Sequence, residues 1–251
     1  MNRNQFHLKF GSPRAIILPV IHVLDHDQAS RNVATAMEGG CPGVFLINHD
    51  FEKEKLLPII KSVRAEYPDY WIGVNFLAVT GEFAFPILAQ LQADGVRVDG
   101  YWADDACMDE RRAVDDQIDA TRIAAVRQQS GWQGLYVGGT AFKKQREVEP
   151  DQYGYSAQLA TGYMDVVVTS GIATGHAADV GKIKTFRENC GDTALGVASG
   201  ITPDNVAEYM QDVDLFMVAT GINLEGDFYN IDPTKLQTLM SKLNTKKITK
   251  E

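Results

Sequence analysis

Eight times along the chain, a short run rich in β-branched and aromatic residues precedes a longer stretch with helical periodicity. That repetition constrains the fold more than any other feature, because βα alternation points to a parallel sheet covered by helices. The predicted strands are Ala15 to Val20, Gly43 to Asn48, Trp71 to Asn75, Gly100 to Ala103, Gly134 to Val137, Val166 to Thr169, Leu195 to Ala198 and Phe216 to Ala219. Most are apolar on both faces, as strands enclosed between a filled interior and an outer helix ring must be. The predicted helices lie near Gln28 to Glu38, Lys53 to Tyr67, Phe83 to Asp94, Thr121 to Gln129, Gln152 to Thr161, Asp179 to Asn189, Asn205 to Gln211 and Pro233 to Leu243.

An open doubly wound sheet uses the same alternation. Eight units, with no Gly-x-Gly-x-x-Gly turn after the first strand, favour a closed TIM (β/α)8 barrel. The chain of 251 residues suits one such barrel, so residues 1–251 are read as a single domain with a frayed lysine-rich tail over 244–251.

The 24 basic and 33 acidic residues give a formal charge of −9, which repels nucleic acid and anionic lipid. An anionic ligand must therefore be held by local donors. Cys41, Cys107 and Cys190 are odd in number and widely spaced, which suggests reduced thiols rather than a zinc site or redox pair. Met1 to Gly11 alternates polar and apolar residues without a signal-like core, and no window is apolar enough to span a bilayer. The expectation is a cytoplasmic protein without membrane insertion, and one that forms a homo-oligomer, as barrels of this size commonly do.

In such barrels, function collects just after the strands. After the sixth strand come Thr169, Ser170, Gly171, Ile172, Ala173, Thr174 and Gly175; after the seventh, Ser199 and Gly200; after the eighth, Thr220 and Gly221. Each turn pairs a hydroxyl with a glycine, so that side-chain and main-chain donors approach an anion closely without needing a lysine. Any one of these turns also fits a plain tight turn, and it is their recurrence at three successive strands that points to phosphate. Thr202 and Pro203 read as the cap and first residue of a helix whose positive end would lie near the seventh turn.

The other strand ends carry His22, Asn48, Asp50, Asn75, Asp104, Asp105, Lys143 and Lys144. The catalytic candidates are Asp104, Lys143, His22, Asn75 and Asn48, with Asp104 and a lysine as an acid/base or electrostatic pair across the mouth. A hydrogen-bonded structural role competes for His22, and solvated loop charge for Lys144, Asp105 and Asp50. The acidic fourth connection, through Asp109, Glu110, Arg111 and Arg112 to Asp116, reads equally as a site cover or a solvated loop. No metal-ligand spacing is present; no cofactor is expected, with a divalent metal as the open alternative.

Val168-Thr169-Ser170-Gly171-Ile172-Ala173-Thr174-Gly175 and Gly196-Val197-Ala198-Ser199-Gly200-Ile201-Thr202-Pro203-Asp204-Asn205-Val206 resemble the BtpA family, which includes SgcQ-like proteins. Gly73-Val74-Asn75 and Asn230-Ile231-Asp232 are similar too, whereas Tyr101 to Gln117 departs from the pattern. The resemblance implies a ribulose-phosphate-binding type of barrel, with the phosphate role on Gly171, Thr174, Gly175, Ser199, Gly200 and Gly221, and with Lys143 at a family lysine position. Ala219-Thr220-Gly221 departs from the family's more frequent glycine followed by Thr-Ser. One branch of the family is linked to photosystem I assembly or stability, and another is described as nucleosidase-like or as acting in sugar metabolism.

Two functions follow. The first is an enzyme acting on a small phosphorylated sugar or ribosyl compound, by N-glycosidic cleavage or isomerisation, with phosphate held at strands six to eight. The alternative is a non-catalytic assembly or stability factor of the BtpA type.

Overall fold

The computed structural model describes residues 1–143 and 145–244. Lys144 and the tail over 245–251 lie outside the described residues, so neither expectation about them is addressed. Eight parallel strands close in sequence order into a barrel: β1 Ile16–Val23, β2 Gly43–Asn48, β3 Trp71–Asn75, β4 Gly100–Ala103, β5 Leu135–Gly139, β6 Val166–Ser170, β7 Ala194–Ala198 and β8 Leu215–Val218, with β8 paired to β1. The helices are α1 Arg3–Lys9, α2 His26–Glu38, α3 Lys53–Glu66, α4 Gly81–Ala93, α5 Ile118–Ser130, α6 Tyr153–Ala160, α7 Val180–Asn189 and α8 Pro233–Asn244. This is the TIM barrel expected from the alternation.

Side chains divide by parity into two cores. Ile16, Leu18, Val20, Phe45, Ile47, Trp102, Val137, Val166, Val168, Leu215 and Met217 fill the interior. Ile17, Ile21, Val44, Leu46, Ile72, Val74, Tyr101, Val167, Val197 and Phe216 pack outward against the helices. Both faces are buried, which is why the strands read as continuous apolar runs.

Two elements differ from the sequence reading. Met1 to Gly11 contains α1, capped by Asn2 and Gln5 in a reciprocal capping box. The wide face of the barrel at the strand amino ends needs a cover, and Phe6, 0% exposed, enters the inner core from α1. The helix expected at Asn205 to Gln211 is a single 3-10 turn over Val206–Glu208. There Asn205 accepts from the Thr202 N–H and donates to Gly200 O, and Thr202 Oγ1 accepts from Asp204 N. These local bonds satisfy the polar groups in a turn rather than propagating a helix. The helix read from Thr202 and Pro203 therefore does not aim a dipole at the seventh turn.

Asp214, immediately before β8 at the amino-terminal end, organises that end of the barrel. Its carboxylate is 1% exposed and accepts from Arg3 Nε at 3.0 Å, Arg187 Nη1 at 3.2 Å and Leu195 N at 3.0 Å, with His7 Nε2 at 2.8 Å. Two arginines, a histidine and a main-chain donor surround one buried carboxylate. Among the described residues, no helix is long and apolar enough to cross a membrane.

Candidate functional site

At the strand carboxyl ends, the turns after β6, β7 and β8 meet around a small cavity of about 30 Å³. Its walls bring together Thr174, Gly175, Ser199, Gly200, Thr220 and Gly221 with His22, Lys143 and Trp102. Six of the seven proposed phosphate residues thus share one wall. Gly171, the seventh, lines a neighbouring cleft instead.

Ser199 departs most from ordinary geometry. It is a non-glycine residue at φ 79°, in the left-handed region that costs an L residue of order 1 kcal/mol or more. Its Oγ is buried and has no hydrogen-bond partner. Nor does any hydrogen bond among the described residues take the main-chain N–H of Gly175, Ser199 or Gly200. Backbone strain combined with unused donors is expected of a turn shaped for an anion rather than for its own stability.

Trp102, which sequence reasoning overlooked, adds a second such atom. The side chain points inward from β4, lines the cavity and carries a buried Nε1 without a partner. A buried indole N–H normally finds an acceptor. The available signal was parity: Trp102 lies two residues from Asp104, on the same side of its strand.

The glycines have different jobs. A Cβ at Gly200 would lie 2.1 Å from Ala177 N, and one at Gly171 2.2 Å from His176 O. Both therefore allow the β6–α7 loop to pack onto them. A Cβ at Gly175 would meet only Thr220 Oγ1, at 3.7 Å, so Gly175 serves its φ of 79° rather than a close approach.

Among the catalytic candidates, Lys143 and His22 line the cavity. Lys143 Nζ donates to Thr174 Oγ1 at 3.2 Å. Its main chain is fixed by an N–H bond to Ser170 Oγ at 2.8 Å, which ties the fifth turn to the sixth. His22 follows Leu18 and Val20 on the inward face of β1. It stacks on Phe228 with centroids 3.8 Å apart and meets His49 edge-on at 4.8 Å. Its Nδ1 lies 2.9 Å from Phe228 O, and since a carbonyl can only accept, Nδ1 carries the proton.

Asn75 and Asp104 also point inward but do not line the cavity. Asn75 Nδ2 donates to Asp104 Oδ1 at 3.3 Å, and Gln145 Nε2 donates to Asp104 O. Asn48 shares parity with Val44 and Leu46 and faces outward. Its amide donates to Phe51 O at 2.7 Å and accepts from Leu77 N at 3.1 Å, pinning two loops together. Asp105 is half-buried and accepts from Cys107 N, and burial pushes its carboxyl above the usual range. Asp50 accepts from Tyr229 Oη at 2.8 Å. In the fourth connection, Glu110 is buried and bound in two-pronged fashion by Arg146, with both contacts at 2.6 Å, so this loop is anchored to the fifth turn. Among the described residues, no three His, Cys, Asp or Glu side chains cluster as a metal site would require.

A larger cleft, of about 680 Å³, lies between the turns after β5 and β6. The β6–α7 loop divides it from the mouth, and Lys143 lines both.

The family model for the BtpA family matches residues 152–245, a span that contains the turns after β6, β7 and β8. The resemblance read from the sequence therefore holds in the half of the barrel that builds the cavity. No curated protein matches the chain in sequence. Among solved structures, tryptophan synthase subunit alpha from Legionella pneumophila is similar at 14% identity and TM-score 0.66, covering 97% of this chain and 99% of that one. Phosphoribosyl anthranilate isomerase from Thermus thermophilus is similar at 13% identity and TM-score 0.61, covering 91% and 98%. KGPDC from Streptococcus mutans is similar at 12% identity and TM-score 0.61, covering 92% and 98%. At these identities the likeness is one of fold.

Proposed function

We propose that the barrel mouth binds the phosphate of a small phosphorylated sugar or ribosyl compound, and that the protein acts on this ligand as an enzyme. The observation that carries the reading is the pair of partnerless buried polar atoms, Ser199 Oγ and Trp102 Nε1, on the walls of one cavity. A buried polar group without a partner costs about 1–3 kcal/mol, so two beside a strained backbone suit a site completed by a polar ligand. The hydroxyl-glycine turns supply donors for an anion on a chain of net charge −9. The BtpA match over this half, and barrel neighbours that include a phosphoribosyl anthranilate isomerase, support the same reading.

In this reading Ser199, Gly200, Gly175, Thr220 and Gly221 hold the phosphate. Lys143, beside Thr174, neutralises charge that develops on the reacting sugar. His22, on the cavity wall with Nδ1 held by Phe228 O, moves a proton to or from the reacting sugar. With one lysine and one imidazole at the wall, proton transfer in an isomerisation or in cleavage of an N-glycosidic bond is within reach of the site. Asp104 and Asn75 act together from below, as a hydrogen-bonded pair that sets the shape of the interior.

The test is a thermal-shift screen with inorganic phosphate, ribose 5-phosphate and nucleoside monophosphates, repeated on Thr220→Asp. Thr220 is exposed on the wall, so the variant places a carboxylate there without filling a packed position. A rise with a phosphorylated compound that disappears in the variant supports the site, and no rise with any of them sinks it. Turnover of whichever compound binds, lost in Lys143→Met or His22→Gln with binding retained, assigns the chemistry. Unchanged turnover in both removes these residues from it.

A further inference from the structure

Lys182, on the first turn of α7 in the wall of the larger cleft, has its ammonium anchored by the protein's own backbone: its Nζ donates to Ala141 O at 2.6 Å and Ser170 O at 2.9 Å. Its Nζ also sits 4.8 Å from the centroid of the Tyr153 ring. An ammonium has three donors, and neutral carbonyls remove none of its charge. One N–H and a positive charge therefore remain, fixed in place before any ligand arrives.

The surroundings of Lys182 narrow what it could hold. Phe142, Val148, Tyr153 and the 89%-exposed Ile172 give the cleft apolar walls. Lys143 and Arg146 add positive charge, Glu147 and Asp179 negative. Arg146 is already engaged by Glu110, and Asp179 caps α7 by accepting from Lys182 N at 3.0 Å. A singly charged group that needs one strong donor fits better than a phosphate dianion, which would seek several. Apolar walls favour a flat, apolar body behind that charge.

We propose that this cleft is a second subsite, which takes a carboxylate carried on a planar apolar or aromatic frame, with Lys182 as its charge partner and Tyr153 as its wall. The β6–α7 loop separates this cleft from the mouth, so the subsite stands apart from the phosphate reading and is tested apart from it.

Calorimetric titration with benzoate, and separately with inorganic phosphate, tests the proposal on the full chain, Lys182→Met, Lys182→Arg, Tyr153→Leu and Thr220→Asp. Benzoate binding is expected to be saturable, to weaken about tenfold or more in Lys182→Met, to weaken in Tyr153→Leu, and to persist in Lys182→Arg and Thr220→Asp. Cyclohexanol, which has no charge, should not compete. Absence of benzoate binding, or binding equal in Lys182→Met and the unaltered chain, overturns the subsite. Phosphate binding that disappears in Thr220→Asp but not in Lys182→Met shows whether the mouth reading stands independently. If Lys182→Met fails to fold, Tyr153→Leu, which leaves the ammonium in place, decides by the same loss or retention of benzoate.

Discussion

The two ends of the barrel differ in how they hold their most deeply buried polar side chains, a carboxylate at one and a strained hydroxyl turn at the other. At the amino-terminal end, the Asp214 carboxylate is enclosed by Arg3, His7, Arg187 and the Leu195 N–H, and α1 closes the barrel with Phe6. At the carboxyl-terminal end, Ser199 sits at φ 79° with an unpartnered Oγ, and Trp102 Nε1 is buried with nothing to donate to. The amino-terminal end has an orphan of its own, Trp71 Nε1 at the start of β3, so the contrast lies between a saturated buried carboxylate there and a strained, unpartnered hydroxyl turn at the end where barrels of this type carry function.

The comparison breaks most visibly at Asp214. Asp214→Ala would leave two arginines and a histidine facing a hole in the core, and removing one partner from a buried charge cluster costs about 3–5 kcal/mol. Urea unfolding should show that loss, while the fraction still folded keeps its phosphate response. A phosphate response lost in step with Asp214 in a folded variant would mean that the two ends are not separate.

Asn48→Ala gives the next largest effect. Two loop contacts disappear, Phe51 O and Leu77 N, each worth about 1 kcal/mol, for a loss of roughly 2 kcal/mol in the same assay. Ligand affinity should not change, because Asn48 faces away from the mouth. An affinity loss without a stability loss would return Asn48 to the site and blur the division.

Why Asn48 and Asn75 separate so cleanly in the structure, yet looked alike in the sequence, follows from burial on both faces. All six residues of β2 are buried, and in β3 only Trp71 is less than fully so. Alternation, the usual clue to which residues point inward, is therefore erased. The same burial made the eight strands easy to find, since short apolar runs between helical stretches stand out. The hydroxyl-glycine turns were legible because small residues recur at three corresponding places. Trp102 was not, because an indole in a strand reads as packing until its N–H is found unpaired. Helix α1 escaped because its only buried residue is Phe6, which leaves too little apolar pattern in seven residues. The helix expected after β7 failed because Thr202 and Asn205 satisfied the turn locally.

Ser199→Gly should move stability and binding in opposite directions. Glycine accepts a positive φ freely, so stability should hold or rise by up to about 1 kcal/mol. The lost hydroxyl removes one donor to an anion, which should weaken phosphate binding by about tenfold. Equilibrium unfolding and calorimetry on the same preparation check both. If binding is intact, Ser199 is strained for a reason other than the ligand.

The smallest effect is a slope with pH. Burial lowers the Lys182 ammonium from 10.5 to about 8, against the opposing pull of Asp179. Below pH 8 both folded and unfolded chains hold this proton, and the cost of burying the charge is present in full. Between about 8 and 10.5 the folded chain releases the proton while the unfolded chain keeps it, so stability rises with pH across that window. Measured by urea unfolding, the difference between the unaltered protein and Lys182→Met should therefore shift in favour of lysine from pH 8 to 10, where most other side-chain contributions cancel in the subtraction. A flat or falling difference would mean that the two carbonyl acceptors compensate the burial completely. Saturating benzoate should shrink the slope, because an anion at Nζ holds the proton on. If it does, the cleft beside the β6–α7 loop joins the mouth as a place where a ligand supplies what the fold leaves undone.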